Sequence, residues 1–308
     1  MQAINNHTAL SEEVIRTLLY FDIFNYPLKA REVFDFLRIN GTTEKEVRQC
    51  LNDLSHQRCL YRFGDLYGMN ADERNAERRI KGNHEAEKWL EVARRRAKLI
   101  ARFPFVRAVM ASGSLSKGYM DEKSDLDFFI VTAPNRLWIA RTLLVLYKRI
   151  FLFNSHKQFC VNYFVDTEHL EIEEKNLFTA TELATLMPLY NHKFYRLVLS
   201  SNQWLHDFLP NCRPREENTD VVVSSTLKKY VEFFLNPFSV ALNNFFMVMT
   251  LRRWKRLYES KFDKKDFNIA FKTLPHVSKN HPNNFQKKIL DLYQIKVREY
   301  TMPSGRVL

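Results

Sequence analysis

Glycine is scarce in this chain, with 7 copies in 308 residues, and proline is little commoner at 10. Few places exist for long flexible linkers, which argues against a low-complexity or linker-dominated protein. Cysteine is rare too: Cys50, Cys59, Cys160 and Cys212 are scattered with no C-x-x-C spacing. That excludes a zinc ribbon or a disulfide framework and reads as ordinary buried thiols in a reducing compartment. The opening "MQAINNHTALSEEV" lacks a basic segment followed by an apolar run, so no secretory leader is expected. One long apolar run exists, residues 231–251. It is broken by Glu232, Asn236, Pro237, Asn243 and Asn244, all costly in lipid. A buried helical segment is therefore expected there, in a cytoplasmic protein without membrane contact.

Apolar residues, by contrast, are plentiful. They make up 45% of the chain, with 14% aromatic, enough to pack a core spread over two or three modules. Positive charge is in excess, at a formal net +12, and residues 252–300 hold thirteen Lys/Arg against five Asp/Glu. A further basic cluster, "RRRAK", lies near the end of the charged stretch 73–102. Such clusters are either solvated helix faces or an attraction toward a polyanion or nucleotide.

Residues 1–72 predict a winged helix-turn-helix. "LSEEVIRTLLYFDIF" has helical apolar spacing behind Ser11, the expected N-cap. "KAREVFDFLRI" is a second helix, stopped by Gly41, and "TEKEVRQCLNDLSHQ" a third, opened by Thr42 or Thr43. The strands "CLYRF" and "LYGMN" follow, turning at Gly64-Asp65. On the third helix Lys45, Arg48, Gln49 and His56 face Glu44, Glu46 and Asp53. That near-neutral face favours docking over duplex DNA binding. Residues 73–175 read as a long charged helix, weakest at Gly82, then the strands "VRAVMAS" and "DLDFFIVTA", the helix "RLWIARTLLVLYKRIF" and the strand "QFCVNYFVD". Residues 176–308 are expected to be helical to the end. The fold class is α+β, a small mixed sheet with a winged helix before it and a helical part after it.

The chemistry concentrates in "GSLSKGYMDEKSDLDFFIV", residues 113–131. Gly113 lets backbone N–H groups approach an anion and Ser114 adds a hydroxyl. A P-loop is excluded, because Tyr119 and Met120 stand where Lys and Ser/Thr are required. Asp125 and Asp127 alternate with Leu126, so they share one face of an extended strand. Two converging carboxylates repel unless a divalent cation sits between them, and oxygen ligands beside triphosphate suit Mg²⁺. An exposed turn capped by Ser124 would explain Asp125 but not Asp127, which runs into four apolar residues.

Gly113-Ser114, ten intervening residues, then Asp125-Leu126-Asp127 resembles the signature of the DNA polymerase β-like nucleotidyltransferase superfamily, and in inner detail its small bacterial members. The resemblance covers about twenty residues, with flanking strands extending it to roughly 100–170. It implies transfer of a nucleoside monophosphate from an NTP, with ATP expected, using Mg²⁺ or Mn²⁺ and releasing pyrophosphate. By that likeness Asp125 and Asp127 are the catalytic metal ligands, and Gly113, Ser114, Lys117 and Ser124 bind the nucleotide. The acceptor is open among a small molecule, a protein side chain and an RNA end.

Active members of the superfamily that this chain resembles commonly supply a third carboxylate from a neighbouring strand. Here the polar residue in "QFCVNYFVD" is Asn162, which cannot act as a base. Asp166 lies four residues further, on the same face by strand parity and roughly 13 Å away. Asn162, Asp166 or a later carboxylate such as Glu182 are the candidates for the third position, unless the site works with two carboxylates. The rival reading is a nucleotide-responsive regulator that has lost catalysis and uses the winged helix to bind DNA or protein. "SKNHPNNFQKK", residues 278–288, reads as a polar capping loop or a lid carrying Ser278, Lys279, His281 and Lys287. Trp204, Trp254 and Tyr190 are core or base-stacking residues.

Overall fold

The computed structural model describes residues 2–153, 157–216 and 225–301, with side chains from residue 9. It is a mixed α+β protein, 58% helix and 13% strand. The first module comprises α1 (Gln2–Asp22), β1 (Leu28–Lys29), α2 (Ala30–Phe36), α3 (Glu44–His56), β2 (Tyr61–Phe63) and β3 (Leu66–Gly68). Its strands form a small antiparallel sheet in the order β1-β3-β2. Thr43 opens α3 through a reciprocal cap: its hydroxyl accepts from Glu46 N, and the Glu46 carboxylate accepts from Thr43 N at 2.7 Å. Such a cap stabilises a helix by about 1 kcal/mol. Ser11 does not cap. The helix begins well before it, so Ser11 lies inside α1 with Oγ 3.4 Å from Cys50 Sγ.

The second sheet has six strands. In chain order come α4 (Arg74–Ala101), β4 (Val106–Ser112), α5 (Gly113–Ser116), β5 (Asp127–Thr132), α6 (Leu137–Phe151) and β6 (Cys160–Asp166). These are followed by α7 (Leu177–Thr185), β7 (Met187–Tyr190), α8 (His192–Ser201), α9 (Leu205–Phe208), α10 (Thr226–Leu235) and α11 (Ser239–Tyr258). The chain closes with α12 (Lys264–Ala270), β8 (Thr273–Leu274), β9 (Val277–Lys279) and α13 (Phe285–Thr301). The strand order is β7-β4-β5-β6-β9-β8, and among these strands only β5 and β6 run parallel. A parallel pair needs a crossover, and α6 provides it.

Three strands overturn the expectation that the chain is helical after residue 176. β7 extends the sheet beyond β4, and β9 pairs with β6. They are short and carry no alternating pattern; the edges of an existing sheet are what make them strands. The loop expected at 278–288 changes with them. Ser278 and Lys279 are buried strand residues, with Lys279 Nζ donating to Gln286 at 2.9 Å. Trp204 and Trp254 are core residues.

Apolar layers cover both sheet faces. Phe128, Ile130, Val109 and Phe164 pack with α4, α6, α11 and α12, while Phe129, Val131, Met110 and Val165 pack with α7, α8 and α9. The first module has its own core, completed by Ile289 and Tyr293 of α13.

The run expected to be a buried helix is not buried. Residues Thr226–Lys261 form a helical stretch apolar and long enough to cross a membrane by length and composition, yet only 11% of its most apolar window is covered. Phe233, Phe234, Phe238 and Phe245 are exposed. Glu232 and Asn243 serve as anchors instead. The Glu232 carboxylate accepts from Phe105 N at 2.6 Å and pairs with Arg107 at 2.9 Å. Asn243 Oδ1 accepts from Trp138 N at 2.8 Å.

Candidate functional site

β4 and β5 are antiparallel neighbours in which Ser112 faces Asp127. The Gly-Ser turn therefore leaves β4 where β5 begins. Gly113 has φ +67, and a Cβ there would stand 2.5 Å from Asp127 Oδ2. Glycine is required twice over, by the left-handed backbone and by the close carboxylate. Leu126 is buried in the core while Asp125 and Asp127 are half-buried, so the alternation expected of the pair is present.

Lys117 and the turn already hold an anion. The Glu182 carboxylate, from α7, accepts from Lys117 Nζ at 2.7 Å and from Gly113 N at 3.4 Å. Lys117 Nζ also donates to Gly113 O at 3.2 Å. Ser114 is half-buried beside them. Ser124 is elsewhere: its hydroxyl donates to Asp121 Oδ1 at 2.7 Å and accepts from Asp121 N. Its bonds shape the turn before β5.

Asn162 owes its direction to a bulge. Asp127 pairs with Cys160 and Phe128 with Val161, but Phe129 pairs with Tyr163, leaving Asn162 as the extra residue of β6. A bulge re-aims a side chain, and here Asn162 Nδ2 donates to Asp127 Oδ1 at 2.7 Å. The Cys160 thiol lies 3.1 Å from Asn162 Oδ1. The same bulge reverses strand parity, which corrects the reading of Asp166. Asp166 pairs with Thr132 at the far end of β5, about 17 Å from Asp127 at the usual strand rise, and on the other face. Its carboxylate is buried against His169 Nδ1 at 2.8 Å and Glu168 N at 3.0 Å. Asp166 is outside the site; Glu182 is the third carboxylate beside it.

Asp127 is electrically unusual. Burial pushes its carboxyl up to about 7, helped by the charges of Asp125 and Glu182 and opposed by the Cys160 hydrogen bond and Lys117. The Cys160 thiol is pushed up in turn by burial and by the charge of Asp127. Among the described residues no group of three or more His, Cys, Asp or Glu side chains is arranged to hold a metal ion. What is present is two aspartates with a third carboxylate across the turn.

Compared with protein-family models, with curated proteins and with solved structures, the chain matches none of them.

Some of that geometry has no local sequence signal. Tyr26 Oη, from the first module, donates to Lys117 O at 3.0 Å, and Asn83 Nδ2 of α4 donates to Gly118 O at 2.5 Å. Arg215 donates to Ser116 O. Gly82, expected to be a weak point of α4, is a contact point: a Cβ there would lie 2.2 Å from the Tyr119 ring, and its carbonyl accepts from Met120 N. The turn is thus held from behind by residues far away in sequence, which leaves Gly113 N–H and Lys117 free to face the carboxylates.

Proposed function

We propose that this chain is a Mg²⁺-dependent nucleotidyltransferase of the DNA polymerase β-like kind, moving a nucleoside monophosphate from an NTP, with ATP expected, to a hydroxyl-bearing acceptor. The observation that carries this reading is the carboxylate held in the Gly-Ser turn beside Asp125 and Asp127. Donors that grip the Glu182 anion offer the same contacts to phosphate oxygens. Gly113 and Lys117 would then hold the β- and γ-phosphates once Glu182 withdraws, with the Ser114 hydroxyl beside them.

The two aspartates fit the expected metal. Mg²⁺ binds through one or two carboxylates and completes its shell with water and substrate phosphates. A carboxyl raised by burial and by negative neighbours is one that an arriving cation ionises. When bound, Mg²⁺ or Mn²⁺ neutralises developing charge on the phosphates and on the leaving pyrophosphate.

The acceptor hydroxyl oxygen attacks the α-phosphorus, and the bond from that phosphorus to the α–β bridging oxygen breaks. Pyrophosphate leaves with the electron pair. The hydroxyl proton passes to water, since the Asn162 amide cannot accept it. Asn162 acts by orienting Asp127 through the 2.7 Å hydrogen bond.

One observation favours a second reading, a nucleotide-responsive regulator. The first module touches the turn directly through Tyr26, so nucleotide in the turn would be felt by the helices and hairpin before it. In either reading the near-neutral α3 suits docking better than duplex binding.

The test has two parts. Calorimetry should show Mg²⁺-ATP binding that Asp125→Ala with Asp127→Ala removes. Labelled nucleotide should pass in a metal-dependent way onto a protein, RNA or small-molecule fraction of cell extract. Binding without transfer would support the regulator; unchanged binding in the double variant would sink both readings.

A further inference from the structure

A cleft of about 690 Å³ lies between α6 and α11 and opens beside Val161, Asn162 and Asn280. Six of its lining residues are cationic: Arg141, Lys148, Arg149, Arg252, Arg253 and Arg256. No acidic side chain lines it among the described residues. The four outer arginines are exposed, and such residues alone would be a solvated helix face. The floor is different. Arg141 and Lys148 are each only 7% exposed, and neither makes a side-chain hydrogen bond or ion pair among the described residues. Arg141 Nε is buried without any partner, and its guanidinium rests over the rings of Trp254 at 4.7 Å and Trp138 at 5.5 Å.

Buried cations are costly unless paired. Burial, with Arg149 and Arg253 nearby, holds the Arg141 guanidinium down at about 9, and burial depresses Lys148 as well. Asp125 offsets part of the Lys148 charge, and no ion pair among the described residues balances Arg141. A ligand that enters the cleft with several negative charges would do so, and guanidinium forks match phosphate oxygens.

The cleft reaches the carboxylates at one residue. Asn162 lines it and also donates to Asp127. In the sheet, β4 with its Gly-Ser turn flanks β5 on one side and β6 with Asn162 flanks it on the other. In-line transfer needs the leaving and attacking groups on opposite sides of the transferred phosphorus. Donor phosphates on the β4 side leave the β6 side, and this cleft, to the acceptor.

We infer that the cleft between α6 and α11 binds the phosphate groups of the acceptor, so that the acceptor is a multiply phosphorylated molecule and not a neutral or polycationic one. The phosphate site stands on the cleft alone; its assignment to the acceptor rests on the transferase reading.

The experiment uses the full chain and inorganic tripolyphosphate as probe, with the donor side saturated by a non-hydrolysable nucleoside triphosphate and Mg²⁺. Tripolyphosphate should still bind. Arg141→Gln and, separately, Arg149→Glu with Arg253→Glu should each weaken it about tenfold or more, the worth of a charge-assisted contact. The rim pair is exposed, so it keeps the test valid if Arg141→Gln does not fold. Lys98→Glu with Lys193→Glu makes the same charge change at exposed positions elsewhere and should leave binding within about twofold. Equal weakening in this control, or no weakening in the cleft variants, overturns the site. Loss of tripolyphosphate binding when the nucleotide is added overturns the acceptor assignment, because the donor then occupies the cleft. The Asp125→Asn, Asp127→Asn variant separates the two ideas. Cleft binding of tripolyphosphate should survive in it, whether or not the chain transfers nucleotide.

Discussion

Replacing Asp127 by Asn removes a charge and changes little else. The Asn162 donor keeps an acceptor, and the side-chain shape is retained. In the folded protein the Asp127 carboxyl rises from 3.8 to about 7, mainly through burial. A group whose folded value lies above its unfolded value contributes its stability at low pH and loses it as pH rises through the folded value. At about 1.4 kcal/mol per pH unit, the ionised Asp127 costs the metal-free fold about 4 kcal/mol once the pH exceeds about 7. Asp127→Asn does not carry that cost. Between about pH 5 and about pH 8 wild type should lose about 3 kcal/mol relative to the variant. Chemical unfolding of both proteins at the two pH values, with metal chelated, measures this difference directly, and titrations shared by both proteins cancel. Mg²⁺ should then narrow the gap at the higher pH by stabilising wild type alone. The reasoning fails if the two proteins keep the same stability difference at both pH values, to within about 0.5 kcal/mol.

Four further outcomes are expected. Glu182→Gln weakens the anion held by Lys117 and Gly113, so Mg²⁺-ATP affinity measured by calorimetry should rise about fivefold, the worth of a part-exposed ion pair; a fall would make Glu182 a ligand and not a placeholder. Gly113→Ala combines a left-handed backbone with a clash at Asp127, whereas Gly64→Ala has φ +63 and open space around it. The first should cost about 2 kcal/mol more than the second in unfolding experiments, and equal costs would remove the clash from the account. Asn162→Asp puts a third anion beside Asp127, so its melting temperature should fall without metal and respond more to Mn²⁺ than wild type does; an unchanged response would put residue 162 outside the metal-binding group. Asp166→Asn should lower stability by about 1–2 kcal/mol through its buried hydrogen bonds and leave nucleotide binding at the wild-type value, since it lies on the other face at the far end of the strand.

Local pattern carried much of the fold, because local physics decides it. Helical apolar spacing marks α3 and α6, the Thr43 cap marks a boundary, and apolar runs mark β4, β5 and β6. The spacing of Gly113-Ser114 and Asp125-Leu126-Asp127 was enough to bring turn and carboxylates together, since a strand's alternation and a hairpin-like return need no distant information. Asn162 was legible as a candidate for the third position, because it is the polar residue of an apolar strand.

Other features depend on residues far apart in the chain. Strand parity placed Asp166 with Asn162, but the bulge separating Val161 from Tyr163 in the ladder reverses parity, and a bulge is a property of two strands together. β7 and β9 are strands because β4 and β6 offer them open edges. Composition showed that 231–251 is apolar, not which side of it the protein covers; Phe233 and Phe245 are exposed while Glu232 and Asn243 anchor the run. The Glu182 carboxylate reaches Lys117 because α7 packs on the sheet face where Asp127 emerges. The excess of arginine after residue 252 was visible as charge alone. It is the packing of α11 against α6 that turns it into a cleft, with Arg141 and Lys148 buried at its floor, because burial is decided by what a residue's distant neighbours leave uncovered.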